Sequence, residues 1–550
     1  MIRSWRSIAT VTLLYAAIVT ATHYTYFGDT NAYIANILAF DRDPGAGRQA
    51  FWDFGHLWWR PLGWLLFRAF GGLIPYGNTG EYNLSVAVLL IAVNVVSGLI
   101  TVLLLRSVAA RFLSPWTANL VAVAFLCFHA FLNYIQTGAP YIIGLLWLTL
   151  SIWSAIRIAE SNAQSYAWLS GIAAALSVLF WFPYIVALPG LLVLLFLWPS
   201  DRSTRRFIPV VVAAASLVAG AAYLLAMTQL HIHSVADLRQ WITASSHGWA
   251  QNRRLFRLAT GLPRSFLWIG DTGMLIKRYV LHDPYAPVSI SQIIFQQLWR
   301  VAIFYVFAVA LAVTLFREVK ERWVLWITLA AAVPVLFFAV VIFEPGSTER
   351  YLPLYPFLCI AVSYALSRIH ENRVAATAIA AFLALAVVLN VAALWRGSVM
   401  RQYERTSSRA SSLNHRVTSK GLVAVVSQFD DLYLLTGSFP FDPVSRLSLP
   451  IYDVVGPASD RVRTWKQDFA RLAVNAQSKN EAVWVSKRLL AVKPAPEWGW
   501  NEGDDPRISW KDLPPFFSGL EYCGDVGGPD GFLQVANSAN NQQVLTAAAN

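Results

Sequence analysis

Asp29 stands in Phe27-Gly28-Asp29-Thr30, a few residues beyond the first apolar run of the chain. A carboxylate half shielded by aromatic neighbours at a membrane boundary holds its proton more tightly than one in water and suits proton abstraction. A local reading competes with this. Asp29 precedes Thr30-Asn31-Ala32-Tyr33 and an amphipathic stretch over 31–40, where it would cap a short helix. The second segment is Asp53-Phe54-Gly55-His56-Leu57-Trp58-Trp59-Arg60-Pro61-Leu62-Gly63-Trp64. A guanidinium between tryptophans suits bidentate phosphate binding at an interface, and an ordinary interfacial anchor has the same composition. His56 is either a second proton-transfer group or a satisfied structural histidine. The third segment, Glu344-Pro345-Gly346-Ser347-Thr348-Glu349-Arg350-Tyr351-Leu352-Pro353, places Arg350 where a phosphate, a carboxylate, or simply Glu349 or Glu344 would pair with it. Asp53, His56, Glu349 and Tyr33 are read as groups supporting the reacting centre or the acceptor. Asp41-Arg42-Asp43 has the Asp-x-Asp form that holds Mg²⁺ or Mn²⁺ through oxygen, but Asp43-Pro44-Gly45 also reads as a turn, which is the preferred reading. His231-Ile232-His233 lacks an evident third ligand.

The elements that must position these residues are apolar. Of 550 residues, 56% are hydrophobic and only 13% charged, against roughly 25% charged in ordinary soluble domains. That composition points to lipid-facing surface and excludes disorder, and three cysteines are too few for a disulfide framework. Eleven runs are candidate membrane helices: 7–24, 84–105, 116–134, 140–158, 166–180, 182–198, 207–227, 299–316, 323–343, 352–366 and 374–394. The fifth and sixth could form one kinked segment around Pro183 and Pro189, so the count needs a test.

Arginines supply it. With eleven spans and the N-terminus inside, the inner segments hold Arg3, Arg6, Arg106, Arg111, Arg157, Arg202, Arg205, Arg206, Arg317, Lys320, Arg322, Arg368 and Arg373, while the short outer connections hold only Arg350. Merging runs five and six would put the Arg202–206 and Arg317–322 clusters on the wrong side. The net charge of +12 lies almost wholly in residues 1–395, with 26 basic and 15 acidic residues, so it reads as membrane topology rather than nucleic-acid binding. A cleaved signal peptide is the weaker reading of the first run.

Three outer regions exceed simple connections: 25–83, 229–298 and the tail 396–550. The tail alternates strand-like runs (422–427, 482–485, 531–535) with turn-rich stretches, which predicts a small extracytoplasmic α/β or α+β domain; its Asn- and Ala-rich end past 538 reads as disordered. The basic loop containing Arg253, Arg254, Arg257, Arg264, Lys277 and Arg278 reads as an amphipathic helix on anionic headgroups, or as part of the acceptor entrance.

Taken in order, these segments resemble the GT-C membrane glycosyltransferases, among them aminoarabinose transferases, protein O-mannosyltransferases and lipopolysaccharide-core transferases. Gly28-Asp29-Thr30-Asn31-Ala32-Tyr33 resembles their Gly-Asp-Glu-x-x-Tyr-like segment after the first helix. Arg60-Pro61-Leu62-Gly63-Trp64 resembles their Lys-Pro-Pro-Leu-Gly-Tyr segment, and Glu349-Arg350-Tyr351-Leu352-Pro353-Leu354-Tyr355-Pro356 resembles their Arg-Tyr-x-x-Pro-x-x-Pro entry to a late helix. The similarity spans roughly 4–394. Thr30 replaces a common acidic residue and one proline follows Arg60 where two are usual, departures that weigh against a dicarboxylate or metal-dependent version.

The resemblance implies a polytopic, mainly α transmembrane enzyme of the bacterial cytoplasmic membrane. It would transfer a sugar from a polyprenyl-phosphate donor to a glycan, lipid or protein acceptor by inverting displacement. Asp29 would be the base, Arg60 and Arg350 would hold the donor phosphate, and no cofactor would be required, a divalent cation being the alternative. Two rivals stand beside it: a transporter or flippase of lipid-linked glycans, and a non-catalytic scaffold. Transporters keep ionisable residues near the midplane of broken helices, and these runs carry almost none. Neither a Walker A loop nor a Gly-x-Gly-x-x-Gly turn is present.

Overall fold

The computed structural model describes residues 2–25, 29–73, 78–79, 82–199, 204–245, 256–270, 274–317, 322–399, 421–426, 451–454, 464–495, 498, 500, 502 and 507–550. Phe27, Gly28, Arg202, Arg253, Arg254 and Lys320, named above, lie outside these residues.

Each of the eleven apolar runs is helical, because unbroken Leu, Val, Ala and Ile without internal charge leave the backbone only its own hydrogen bonds once water is excluded. Among the described residues, six helices are long and apolar enough to cross a membrane: Ser85–Ala109, Tyr141–Ser161, Thr204–Gln229, Ile290–Arg317, Trp323–Ile342 and Arg373–Ala393. The others are shorter or broken. The third run divides into Pro115–Leu126 and His129–Tyr134, the sixth opens as a 3₁₀ turn over Phe182–Ala187 before Leu188–Leu197, and the tenth opens as a 3₁₀ turn over Thr348–Leu354. The chain is a polytopic, mainly α membrane protein.

Runs five and six are two segments, not one. After Gln164–Phe180 the backbone turns extended at Trp181 (φ −151°, ψ 105°) and Leu188–Leu197 runs back, so that Arg206 Nη2 donates to Asn162 Oδ1 at 2.6 Å, beside the start of the preceding helix. The arginines gather at this end. Arg111 and Arg157 both pair with Glu160, Arg368 pairs with Glu371 at 2.9 Å, and one open cavity of about 700 Å³ is lined by Arg111, Trp323 and Arg368. Asp53, His56, Arg60, Glu349 and Arg350 belong to the opposite end, where the returning turn Phe182–Ala187 lies.

Contacts divide the chain into two units, Met1–Asn78, Tyr82–Ile269 and Leu298–Val399 in one, and Thr79–Glu81, Gly270–Gln297 and Met400–Asn550 in the other. The long region 229–298 is shared between the two units. Part of the second unit is built from it: Arg278, 6% exposed, donates to Trp500 O at 3.4 Å and lies 3.8 Å from the buried Asp283. This corrects the reading of that whole loop as a basic helix on headgroups.

Among the described residues the second unit carries a five-stranded mixed sheet. Ile451–Asp453, Gly421–Val425 and Ala482–Ser486 run parallel, and Phe532–Val535 and Tyr522–Val526 continue the sheet antiparallel. The end past 538 is not disordered. Ser538 caps a helix over Ala539–Ala549, Leu545 is fully buried, and Asn541 Nδ2 donates to the carbonyls of Glu521 and Ala536 at 2.9 and 2.8 Å. Low complexity hid an element whose order comes from tertiary hydrogen bonds.

Candidate functional site

Asp29 occupies the position before the helix Thr30–Arg42, yet its side chain makes no capping hydrogen bond (φ −80°, ψ 16°). An N-cap residue normally takes extended backbone angles so that its side chain can reach back to the first N–H groups. Thr30 Oγ1 accepts from Gly138 N at 3.1 Å, which ties the helix start to a neighbouring segment, and Tyr33 N–H makes the first helical bond to Asp29 O at 3.1 Å. The Asp29 carboxylate is left exposed, and it lines a cavity of about 160 Å³ together with His56 and Arg350. Apolar and aromatic side chains make up most of the remaining wall, including Tyr141, Trp181, Phe182 and Phe343.

Arg350 reaches that cavity from the 3₁₀ turn Thr348–Leu354. Its guanidinium sits 3.9 Å from the Phe343 ring centroid and 5.5 Å from that of Trp181, while Nε stands 3.6 Å from Glu349 Oε1, beyond hydrogen-bonding range. The simple ion-pair alternatives are thus loosely met. Glu349 is 7% exposed and accepts from Tyr134 Oη at 2.8 Å, and Glu344 is held by Arg257 at 2.6 Å. Arg350 is thus a half-buried guanidinium flanked by aromatic rings, and its Nε makes no hydrogen bond.

The turn bearing Arg350 is clamped by the helix Phe256–Phe266. Arg264 donates to Gly346 O at 3.1 Å, Tyr351 donates to Pro345 O at 2.6 Å, and a Cβ on Gly261 would collide with the Pro345 carbonyl. Gly261→Ala is accordingly expected to push this helix off the turn at a cost of about 1–3 kcal/mol. Thermal unfolding of the protein in nanodiscs checks it; an unchanged midpoint would mean that the helix does not clamp the turn.

Arg60 is placed differently from its sequence reading. Helix Trp59–Phe70 carries Pro61 in its first turn, where no N–H is needed, and this orients Arg60 inward at 2% exposure. Its Nη1 lies 2.8 Å from Asp53 Oδ2 and its guanidinium covers the Tyr33 ring at 5.0 Å. It is not among the residues lining the cavity. Asp53 also receives His56 Nδ1 at 2.7 Å, and His56 Nε2 lies 3.3 Å from Tyr33 Oη, so Asp53, His56, Arg60 and Tyr33 form one buried cluster, of which His56 alone is among the residues lining the cavity. Burial, then the negative charges of Asp29 and Asp53, raise the Tyr33 phenol well above its ordinary pKa against the opposing pull of Arg60 and Arg350. The loop carrying His56 is fastened on both sides, with Trp58 N–H on Leu179 O at 3.1 Å, Tyr223 Oη on Phe54 O at 3.2 Å and Trp241 Nε1 on Trp52 O at 2.7 Å. Sequence reasoning gave no role to Trp181 or Tyr141; only the return of the chain at 181 brings them to the wall.

The Asp-x-Asp reading does not hold geometrically. Asp43 caps Pro44–Phe51 by accepting from Gly45 N and Ala46 N at 2.9 and 3.1 Å, and Asp41 accepts from Trp64 Nε1 at 2.9 Å and lies 3.5 Å from Arg68. Among the described residues no group of three or more His, Cys, Asp or Glu side chains is arranged to hold a metal.

No family model matches the chain, and no curated protein matches it. Among solved structures, ArnT from Cupriavidus metallidurans in the apo state aligns with a TM-score of 0.51 at 11% identity, covering 97% of this chain and 98% of that one. The chain has a GT-C-like fold. ArnT bound to undecaprenyl phosphate aligns at 12% identity over 97% of this chain and 98% of that one, with a TM-score of 0.47. The apo oligosaccharyltransferase of Archaeoglobus fulgidus aligns at 14% identity over 98% and 74%, with a TM-score of 0.49. Within the GT-C-like fold, Asp29 and Arg350, far apart in sequence, share one cavity, while Arg60 sits behind it.

Proposed function

We propose that this GT-C-like protein is a glycosyltransferase that moves a sugar from a polyprenyl-phosphate donor to a hydroxyl of a glycan, lipid or protein acceptor. The observation that carries the reading is an uncapped carboxylate, Asp29, facing the same apolar-walled cavity as an anion-seeking guanidinium, Arg350. The cavity, at about 160 Å³, is smaller than the roughly 300–1,000 Å³ that enclose whole drug-sized ligands, so it suits the reacting phosphate and sugar carbon rather than a whole donor. A lipid-linked donor agrees with the undecaprenyl phosphate bound to ArnT.

In one displacement, Asp29 accepts the acceptor O–H proton as the oxygen bonds to the anomeric carbon, and the bond from that carbon to the phosphate oxygen breaks with inversion. Arg350 offsets the charge gathering on the departing lipid phosphate. Arg60 is assigned a positioning role, holding Asp53. No step is routed through a metal, given the donor set described above. The arginine-rich end of the bundle faces the cytoplasm, and the Asp29 end and C-terminal unit lie outside a bacterial cytoplasmic membrane. That orientation is supported by the gathering of Arg106, Arg111, Arg157, Arg206 and Arg368 at one end.

Binding of undecaprenyl phosphate to the protein in nanodiscs tests the anion site. Arg350→Ala is expected to weaken it by roughly 10- to 100-fold, with Arg350→Lys recovering little because an ammonium cannot lie flat between Phe343 and Trp181. Unchanged affinity in both variants would remove Arg350 from the donor site.

A further inference from the structure

We infer that the open cavity at the arginine-rich end of the bundle holds the headgroup of an anionic phospholipid, at a site separate from the Asp29 cavity. Its volume of about 700 Å³ falls within the roughly 300–1,000 Å³ typical of ligand sites. Among the described residues its lining holds two guanidiniums, Arg111 and Arg368, and the imidazole of His370 against one carboxylate, Glu371. Arg111 pairs with Glu160, which Arg157 also meets at 2.7 Å, and Arg368 pairs with Glu371 at 2.9 Å, so three guanidiniums face two carboxylates. These pairs are half-exposed and therefore weak. Each guanidinium carries five N–H donors, so a phosphate can bind both arginines without displacing either carboxylate.

The other walls identify the anion as a lipid. Phe112, Trp323 and Tyr364 line the cavity, with the Phe112 ring 6.3 Å from each of the other two and the Trp323 ring 5.0 Å from Trp198. A soluble anion gains nothing from such a surface, whereas the glycerol and first acyl carbons of a phospholipid are removed from water on it. The apolar wall also continues onto the outside of the bundle. Phe196 adjoins the lining residue Leu197, Trp326 lies one turn beyond Trp323, and both are exposed. Tryptophans at helix ends sit at the headgroup level of a bilayer. The helix Trp323–Phe337 reaches the cavity with its first residue and Tyr355–Ser367 with its last, while their other ends join through the turn that carries Arg350. A phospholipid here therefore braces that helix pair from the end opposite to Arg350.

Native mass spectrometry of the full chain, released from detergent micelles with added phosphatidylglycerol or phosphatidylcholine, tests this by counting retained lipids as their concentration rises. The wild type should retain phosphatidylglycerol in preference to phosphatidylcholine. Arg111→Gln combined with Arg368→Gln should weaken that retention about 10-fold or more. Two controls should leave it unchanged: Arg317→Gln, an exposed arginine outside the lining, and Arg350→Ala in the other cavity. Equal retention of the two lipids by the wild type overturns the inference and needs no variant, so misfolding cannot shelter it. An equal loss in Arg317→Gln would mean diffuse surface charge, and a loss in Arg350→Ala would place the lipid in the Asp29 cavity; either refutes the site. Displacement of the lipid by inorganic phosphate at the lipid's own concentration would make this a site for a soluble anion and refute it too. As a second readout, phosphatidylglycerol nanodiscs should raise the thermal unfolding midpoint over phosphatidylcholine nanodiscs in the wild type but not in the double variant. The same rise in both contradicts the bracing role. No transfer is measured, so failure here leaves the glycosyltransferase reading untouched.

Discussion

Asp29→Asn is expected to lower kcat for sugar transfer about 1,000-fold while leaving donor binding and folding unchanged. The amide preserves the shape of the cavity wall and removes only the group that accepts a proton. Folding should be untouched because the carboxylate makes no capping hydrogen bond and no ion pair among the described residues. Asp29→Ala sharpens the distinction. If Asp29 were a working cap, truncation would destabilise the protein by about 0.5–2 kcal/mol, whereas the geometry predicts almost no stability change and an equally dead enzyme. Steady-state transfer rates and thermal unfolding on the same preparations separate the two, and a destabilised but active Asp29→Ala would return the residue to a structural role.

Arg60→Ala is expected to destabilise the protein by about 3–5 kcal/mol, because it strands the Asp53 carboxylate, 6% exposed, without its guanidinium. The cost of breaking a buried pair is dominated by the charge left behind. Joint replacement, Arg60→Met with Asp53→Leu, should therefore recover part of the loss, less than fully because His56 also gives up its acceptor. Thermal unfolding of the single and double variants measures this. A fully stable Arg60→Ala with weakened donor binding would contradict the placement and restore Arg60 to the donor phosphate.

Apolar runs and arginine spacing were legible in the sequence because lipid imposes a simple rule on composition, and all eleven runs form helices. The strands Gly421–Val425, Ala482–Ser486 and Phe532–Val535 were legible for a similar reason, being short apolar runs between turns. Tyr522–Val526 was hidden within a Gly- and Asp-rich stretch read as turn, and its place at the sheet edge explains why it needs few apolar residues. The helix Ala539–Ala549 was missed because its order comes from Ser538 and Asn541, side chains whose value depends on partners brought together by the fold.

The site divides the same way. Asp29 and Arg350 were identifiable as candidates from residue type and position relative to the helices. Their shared cavity was not, since it depends on the reversal at Trp181 and on the clamp around Pro345. Arg60 misled for a physical reason: Pro61 in the first helical turn and a buried Asp53 seven residues earlier turn the guanidinium inward, and the Trp-rich surroundings that suggested an interface are in part core, with Trp59 fully buried.

The most direct measurement is transfer of radiolabelled sugar from a panel of polyprenyl-phosphate sugars by the purified protein in lipid nanodiscs, wild type against Asp29→Asn. The account predicts transfer from at least one donor by the wild type, with inverted anomeric configuration, and its loss in Asp29→Asn with that donor still bound. Equal transfer by both proteins would contradict the assignment of the base, and failure of every donor to bind either protein would contradict the glycosyltransferase reading itself.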